Sequence, residues 1–459
     1  MSSLSASLWI AEQALQADQG ALDVTTNNIS NASTPGYSRE VADLTEEAPQ
    51  EEGGISYGNG VELQQIQSIR DQVLSLQIAE ETAQQSSAQS QSTALQQVQG
   101  EFSSSTTGIG ADLSAFFSSL SQLSTSPNSI PDRQAVLNAA QDVASDFNQA
   151  SANLTSVSSG LNQSVSQSVS QINTLTAQIA QLNGQVAVMQ KEGQDPGVVE
   201  DQENQAINQL AQLTNVSETQ SPDGLTITTG NGTPLVVGSQ SFTLQTGTSS
   251  SGNVTVLSQG QDITSSISGG SLGGTIQVRD TDIPNVLTQL NNLASQFATS
   301  INSAQSSGYD LNGNKGQALF SVIPGAGAAA SLSVSMSDPS LIAASSDGTP
   351  GSNGNVANLL AVQTNALPGG ASPGDTYANL VSQVGNLTSQ AESNASAGTS
   401  SLTQLNDQLG AISGVSIDEE TTNLMNYQNA YQAAARVVST VDELTQTVLQ
   451  MGASAASGS

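Results

Sequence analysis

Histidine and cysteine are both absent from the 459-residue chain. Without cysteine there is no disulfide, no thiol nucleophile and no thiolate metal site. Without histidine the commonest general base, the Ser-His-Asp arrangement and most zinc chemistry go as well. Basic residues are nearly as scarce: 7 Lys and Arg stand against 39 Asp and Glu, for a net charge of −32. Such a chain cannot neutralise a phosphate backbone, so neither nucleic acid nor an anionic membrane surface is an expected partner. No apolar run reaches the length of a membrane span, so membrane insertion is not expected either. The first basic residue is Arg39, which leaves no cationic region for a cleaved secretory signal. Aromatics make up 3% and charged residues 10%, and the polar mass is Ser, Thr, Gln, Asn and 41 glycines. That composition is thin material for one compact globule and favours long helices with light β modules.

What is present falls into three kinds of text. The first is helical, with Leu8, Leu15, Leu22 and Ile29 at seven-residue spacing and Leu4 and Ala11 on the same stripe, as in a narrow coiled-coil seam. At the other end Leu424, Tyr427, Tyr431, Ala434, Val438, Val441, Thr445 and Val448 step by three and four. Ser416 and Glu419 fit a capping box ahead of this helix, and Gly452 offers a stop after Met451. A terminal helix with so narrow a seam needs a partner, and the nearest one is the other terminus. Two internal stretches show the same spacing: Ile66, Ile69, Val73 and Leu76, then Ile172, Leu175, Ile179, Leu182, Val186 and Met189, with Leu154, Val157 and Leu161 upstream. These read as antiparallel bundle partners.

The second kind begins near Pro222, where Leu225 and Ile227 alternate, Asn231-Gly232 offers a hairpin turn, and Leu235 to Val237, Phe242, Leu244, Val254 and Val256 follow. This predicts a small β module. Helical text returns from Ile283 to Gln305 with Pro284 in the first turn. The third kind, Ser306 to about Ser400, is Gly, Ser and Ala-rich with weak periodicity, and reads as mixed structure.

Catalytic and metal signals have weak support. Asp310, Asn312 and Asn314 imitate a calcium loop, but Lys315 stands where that loop needs Gly and no Glu closes it, which favours a solvated turn. Glu46, Glu47, Glu51 and Glu52 sit in a Pro- and Gly-punctuated loop without an apolar pocket, as on a solvated acidic face. Neither Lys191 nor Lys315 has a Ser three residues before it, so Ser-Lys catalysis is unsupported. No catalytic set, cofactor site or metal site is assigned, and an enzyme is not expected.

The most specific text follows the first heptads, from Ala21 to Arg39, with Asn27, Asn28 and Asn31 ahead of Pro35, Gly36 and Tyr37. The three asparagines can satisfy end-of-helix backbone groups or hydrogen-bond a neighbour, and Pro35-Gly36 suits the centre of a type II turn. In order and spacing this stretch closely resembles the amino-terminal signature of bacterial flagellar rod, hook and hook-associated proteins, the axial family. At the other end Ser413 to Glu420, Asn423-Leu424, Tyr427-Gln428 and Ala430 to Val437 resemble the terminus of the hook-associated protein 1 branch of that family. Arg279-Asp280, Ile283-Pro284, Ile301-Asn302, Gly308 to Asp310, Asn312-Gly313 and Phe320 resemble the same branch, and rod and hook proteins lack this block. The sequence departs at Gln305, where His is often found, and at Glu203-Asn204, near a position that is usually Arg.

The resemblance implies a mainly α fold with a smaller β module. Residues 1–60 and 415–459 would form a terminal coiled-coil assembly domain, 61–218 and 282–414 a helical rod-like domain, and 219–281 an outer β domain. It implies a structural protein that joins hook to filament as a ring of copies, needed for filament assembly and motility. The partners it implies are copies of itself, the hook protein, a second hook-filament junction protein, and a flagellar export chaperone at the carboxyl-terminal helix. It further implies export through the flagellar type III apparatus without a cleaved signal, to an extracellular place at the hook-filament junction. The assembly interface would be Leu8, Leu15, Leu22, Asn27, Asn28, Ile29, Asn31, Pro35, Gly36, Tyr37, Leu424, Tyr427, Tyr431, Val438, Val441 and Val448. Another axial subunit of rod or hook, or a secreted adhesin, stands as the alternative.

Overall fold

The computed structural model describes residues 2–52, 55–102, 107–221, 224–368 and 370–456; Pro222 lies outside them. The chain opens with α1 (Ser2–Asn31) and a small arm of β1 (Glu40–Glu46), β2 (Gln50–Glu52), β3 (Ile55–Tyr57) and β4 (Val61–Ser68). Helices α2 (Gln72–Gly100), α3 (Ile109–Thr125), α4 (Ile130–Lys191) and α5 (Gly197–Leu213) follow. The β module holds β5 (Val216–Ser221), β6 (Gly224–Thr229), β7 (Pro234–Val237), β8 (Gln240–Ser241), β9 (Leu244–Thr248), β10 (Val254–Ser258) and β11 (Gln261–Asp262). Then come α6 (Gly270–Gln277), α7 (Ile283–Ser307), β12 (Phe320–Ser321), α8 (Ala328–Ser331), β13 (Ser333–Val334), α9 (Gly354–Thr364), α10 (Pro373–Ser413) and α11 (Ile417–Ala456). The fold is mainly α with a smaller β module.

The spine is α4, whose 62 residues span about 93 Å at 1.5 Å per residue. Its start is specified locally: Ser129 Oγ accepts from the Asp132 amide at 3.3 Å, Pro131 sits in the first turn and Lys191 closes the last. The first half of α4, through Leu161, packs into one apolar core with α3, α7, α9 and α10. Its second half, from Val165, packs into another with α5 and the β module. One helix therefore carries both bodies.

Aromatic scarcity does not thin the first core, because six of the seven phenylalanines lie in it. Phe297 stacks edge-on against Phe116 at 5.8 Å between centroids and tilts against Phe320 at 5.3 Å. Elsewhere small residues let backbones approach. The buried face of α2 runs through Ala79, Ala83, Ser87, Ala88 and Ser92, and a Cβ added at Gly274 of α6 would collide with the Ser87 carbonyl.

In the β module β5 to β8 form one antiparallel sheet and β9 to β11 another. A hairpin turn forms where expected but one residue earlier than the Asn231-Gly232 pair: the Gly232 amide donates to Thr229 O at 2.8 Å, which puts Gly230 and Asn231 at the centre, and Gly232 at φ +87° takes the left-handed position that closes the loop. Arg279, 1% exposed, ties this module to the spine through Val254 O at 2.8 Å and Asn162 Oδ1 at 3.0 Å.

Three expectations are corrected. The series Ile66, Ile69, Val73 and Leu76 is not a helical seam: Ile66 lies in β4, and Val73 and Leu76 are exposed. Asp71 starts α2 between them, its Oδ1 accepting from Leu74 N at 3.0 Å, so the spacing crossed an element boundary. Residues 306–400 are mixed structure as expected, and they include most of α10, 41 residues long, whose periodicity is muted because Thr388, Ala391, Ala395 and Gly398 line its buried face. The first 60 residues hold β-strands as well as a helix. Helix α11 runs through Gly452 to Ala456 rather than stopping at Met451. The turn after Asp310 is solvated as expected, with Asn312, Gly313, Asn314 and Lys315 exposed, although Asp310 itself is buried and its Oδ1 accepts from the Asn312 and Asn314 amides at 2.8 Å each. The side chains of Glu51 and Glu52 lie outside the described residues.

Candidate assembly interface

Helices α1 and α11 run antiparallel, with Asn28 beside Glu420 at one end and Leu4 and Leu8 beside Val441 and Val448 at the other. The stripe of α1 that is buried is mostly small: Ala11, Ala17, Ala21, Val24, Thr25 and Asn28. Leu8, Leu15, Leu22 and Ile29 flank that stripe and remain half-buried. Alanine sets the approach of the two helices, and the larger heptad side chains are left at its edge. Trp9, half-exposed, donates its Nε1–H to Glu47 Oε2 at 3.4 Å, tying the arm to α1.

On α11, Val441 is buried, and Leu424, Tyr427 and Val438 are half-buried. Tyr431 and Val448 are more open, at 38% and 42% exposure. Met425, Val437, Leu444, Leu449 and Met451 are exposed as well, so α11 carries apolar surface that α1 does not cover. A groove between the two helices, lined by Leu4, Leu8, Val441, Val448 and Leu449, continues it.

The asparagine-rich turn closes the other end of the pair. Tyr37 N–H donates to Thr34 O at 3.2 Å, and Gly36 at φ +79° takes the third position of a type II turn after Pro35. Asn28, 1% exposed, uses every polar atom of its amide. Its Oδ1 accepts from Glu40 N at 2.9 Å and from Tyr37 OH at 2.8 Å. Its Nδ2 donates to Glu40 O at 2.7 Å and to Glu420 Oε2 at 3.2 Å. Asn27 Nδ2 donates to Glu40 Oε2 at 3.0 Å, and Asn31 Nδ2 donates to Asn27 Oδ1 at 2.9 Å. Burial first, then the charges of Glu40, Asp201 and Glu420, pushes the Tyr37 phenol above its ordinary value, so it stays a donor.

Arg39 completes this clasp. Its guanidinium donates to Glu420 Oε1 at 2.8 Å and to Glu419 Oε1 at 3.0 Å, and its amide donates to Ser413 O at 2.9 Å. The expected capping box at Ser416 is thereby replaced: the Glu419 carboxylate turns to Arg39. Ser38 donates to Asp201 of α5 through N and Oγ, both at 2.8 Å, and Arg70 pairs with Asp201 at 2.8 Å and with Glu200. One turn thus links α1, α11, α5 and the arm. The sequence marked Asn28, Tyr37 and Arg39 but not Glu420, Asp201 or Arg70, because their contacts span 131 to 392 residues. Amides, carboxylates and one phenol can hold helices in register, and among the described residues no group of three or more His, Cys, Asp or Glu is placed to hold a metal.

Paired terminal helices locked by an asparagine turn, on a long helical body, define a structural protein of the bacterial flagellar axial class. Residues 95–320 match the model of the "Flagellar hook-associated protein FlgK helical domain". The ends match the models described as "Flagella basal body rod protein" (8–37) and "Flagellar basal body rod FlgEFG protein C-terminal" (410–451). The chain is 30% identical to flagellar hook-associated protein 1 of Bacillus subtilis (strain 168), over 98% of each chain. It is 25% identical to the Escherichia coli (strain K12) protein of that name, over 96% of this chain and 98% of that one. Its fold is similar to that of the flagellar hook junction protein FlgK from Burkholderia pseudomallei, with a TM-score of 0.67 at 19% identity over 74% of this chain and all of that one. The chain belongs to the flagellar hook-associated protein 1 family.

Proposed function

We propose that the chain joins hook to filament as a ring of copies held together by its terminal helices, and that filament assembly and motility depend on it. The observation that carries this reading is the uncovered apolar face of α11, from Met425 to Met451, beside half-buried heptad leucines on α1. Each copy has a rigid clasp at one end of the pair and unsatisfied apolar surface along the other, which neighbouring copies can bury. The names of the relatives support the place at the hook-filament junction. On this reading the hook protein and a second junction protein bound the ring below and above. An export chaperone covers α11 before assembly, and the chain leaves the cell through the flagellar type III apparatus without a cleaved signal.

The test is complementation of a deletion strain with single charged substitutions. Leu22→Asp, Ile29→Asp and Tyr431→Asp probe the seam, and Met425→Asp and Leu444→Asp probe surface that the monomer leaves open. Loss of filaments with far-UV circular dichroism unchanged is the expected result. Normal filaments from all five would reject the reading, and surface binding retained without the heptads would favour an adhesin.

A further inference from the structure

The helical body hands over to the β module between Leu213, where α5 ends, and Val216, where β5 begins. Two glutamates flank this elbow, Glu203 on α5 and Glu218 on β5. Both line a cleft of about 970 Å³ between the start of α2, the end of α4, α5 and the β5 to β8 sheet. Glu203 is 7% exposed, and its Oε1 has no hydrogen-bond partner. The charged groups facing it are Glu200 on its own helix, Glu218 from β5, Arg70 just before α2 and Lys191 at the end of α4.

Arg70 is already committed. Its guanidinium is held by Asp201, by Glu200 and by the Gly197 carbonyl, leaving Glu203 without a direct cationic partner. Lys191 is exposed in the last turn of α4, where a basic residue complements the helix dipole. An ionised carboxylate with an unpartnered buried oxygen is costly, and a proton removes that cost. Burial first, then the charges of Glu200 and Glu218 against the opposing charge of Arg70, pushes Glu203 up to about 7. Burial pushes Glu218 up to about 7 as well. The Glu218 charge, where present, further disfavours ionisation of Glu203.

We propose that Glu203 and Glu218 form a proton-operated clamp across the elbow, holding the β module on the helical body when the carboxyls are neutral and loosening as they ionise. A carboxyl held above its ordinary value binds its proton more tightly in the folded chain than in the unfolded one. Its contribution is therefore complete below the ordinary carboxyl value and is lost as pH rises through about 7. The neighbouring pair of Arg70 with Asp201 is a different device, since both of its members are charged and matched.

The test is hydrogen exchange of the full-length protein between about pH 5.5 and 8.5, corrected for the intrinsic pH dependence of exchange. Protection of the β5 amides, Val216–Ser221, relative to the middle of α4 should fall about tenfold across that interval. Glu203→Gln, neutral at every pH, should flatten the profile, and Glu218→Gln should flatten it in part. Parallel profiles in wild type and both variants would overturn the clamp. Carbon-detected titration of the two carboxyls in the wild-type chain guards against variants that do not fold. Midpoints near 7 support the clamp; midpoints in the ordinary carboxyl range overturn it. A pH profile abolished by added calcium chloride would also overturn it, since a bound cation rather than a proton would then be holding the cleft.

Discussion

The guanidinium of Arg39 meets the carboxylate of Glu420 at 2.8 Å, across 381 residues of sequence, at a side chain that is 2% exposed. Glu420 also accepts from Asn28 at 3.2 Å, so one carboxylate on α11 is the point at which α1, the turn after it and α11 converge. Arg39→Ala leaves that buried carboxylate with a neutral donor alone. The expected cost is about 1.5–3 kcal/mol, read as a shift in the urea midpoint and as faster amide exchange along α1. Arg39→Lys should recover only part, because a point charge cannot bridge Glu419 and Glu420 as a planar fork does.

Tyr37 supplies the second contact to the same asparagine, through its hydroxyl to Asn28 Oδ1. Tyr37→Phe removes one donor and is expected to cost about 1 kcal/mol. The phenol's raised value gives a second readout. The unfolded chain ionises this tyrosine near its ordinary value and the folded chain only later, so the clasp loses stability as pH rises beyond about 10. Ultraviolet titration of wild type against Tyr37→Phe should show the missing phenol ionising after an ordinary tyrosine.

The aromatic cluster belongs to a separate body. Phe297→Ala opens a cavity among Phe116, Phe117 and Phe320 and should cost about 3–5 kcal/mol by calorimetry. The titration of Tyr37 should stay unchanged, because the two sites share no residue.

Asp112 at the start of α3 faces Asp146 and Asp142 on α4. Burial first, then the Asp146 charge and hydrogen bond, pushes its carboxyl up to about 6. Its contribution is complete below the ordinary carboxyl value and is lost as pH rises through about 6. Asp112→Asn should flatten the fall in melting temperature between about pH 4 and 7. An unchanged slope would mean the pair does not share a proton.

The terminal helices, the Asn-Pro-Gly turn and the hairpin at Asn231-Gly232 were legible because each is specified over a few residues: a heptad, a type II turn, a short glycine-containing loop. Local text was silent wherever a face is built from small residues. Helix α10 buries Thr388, Ala391, Ala395 and Gly398, a stripe that no hydrophobic count detects. For the same reason the α1 seam is an alanine stripe, although the leucines dominate the pattern. Ile66 to Leu76 imitated a helix because three- and four-residue steps also occur where a strand ends and a helix begins, and Asp71, a visible N-cap, marked that boundary. The clasp shows the remaining gap: Asn28, Tyr37 and Arg39 stand in one signature, but Glu420 and Asp201 reach them only through the fold.

The most direct test of a junction role is to delete the gene, examine the cells by electron microscopy and assay the medium for unassembled filament subunit. Completed hooks without filaments, together with filament subunit in the medium, are expected. Normal filaments on the deleted cells, or cells without hooks, would contradict it.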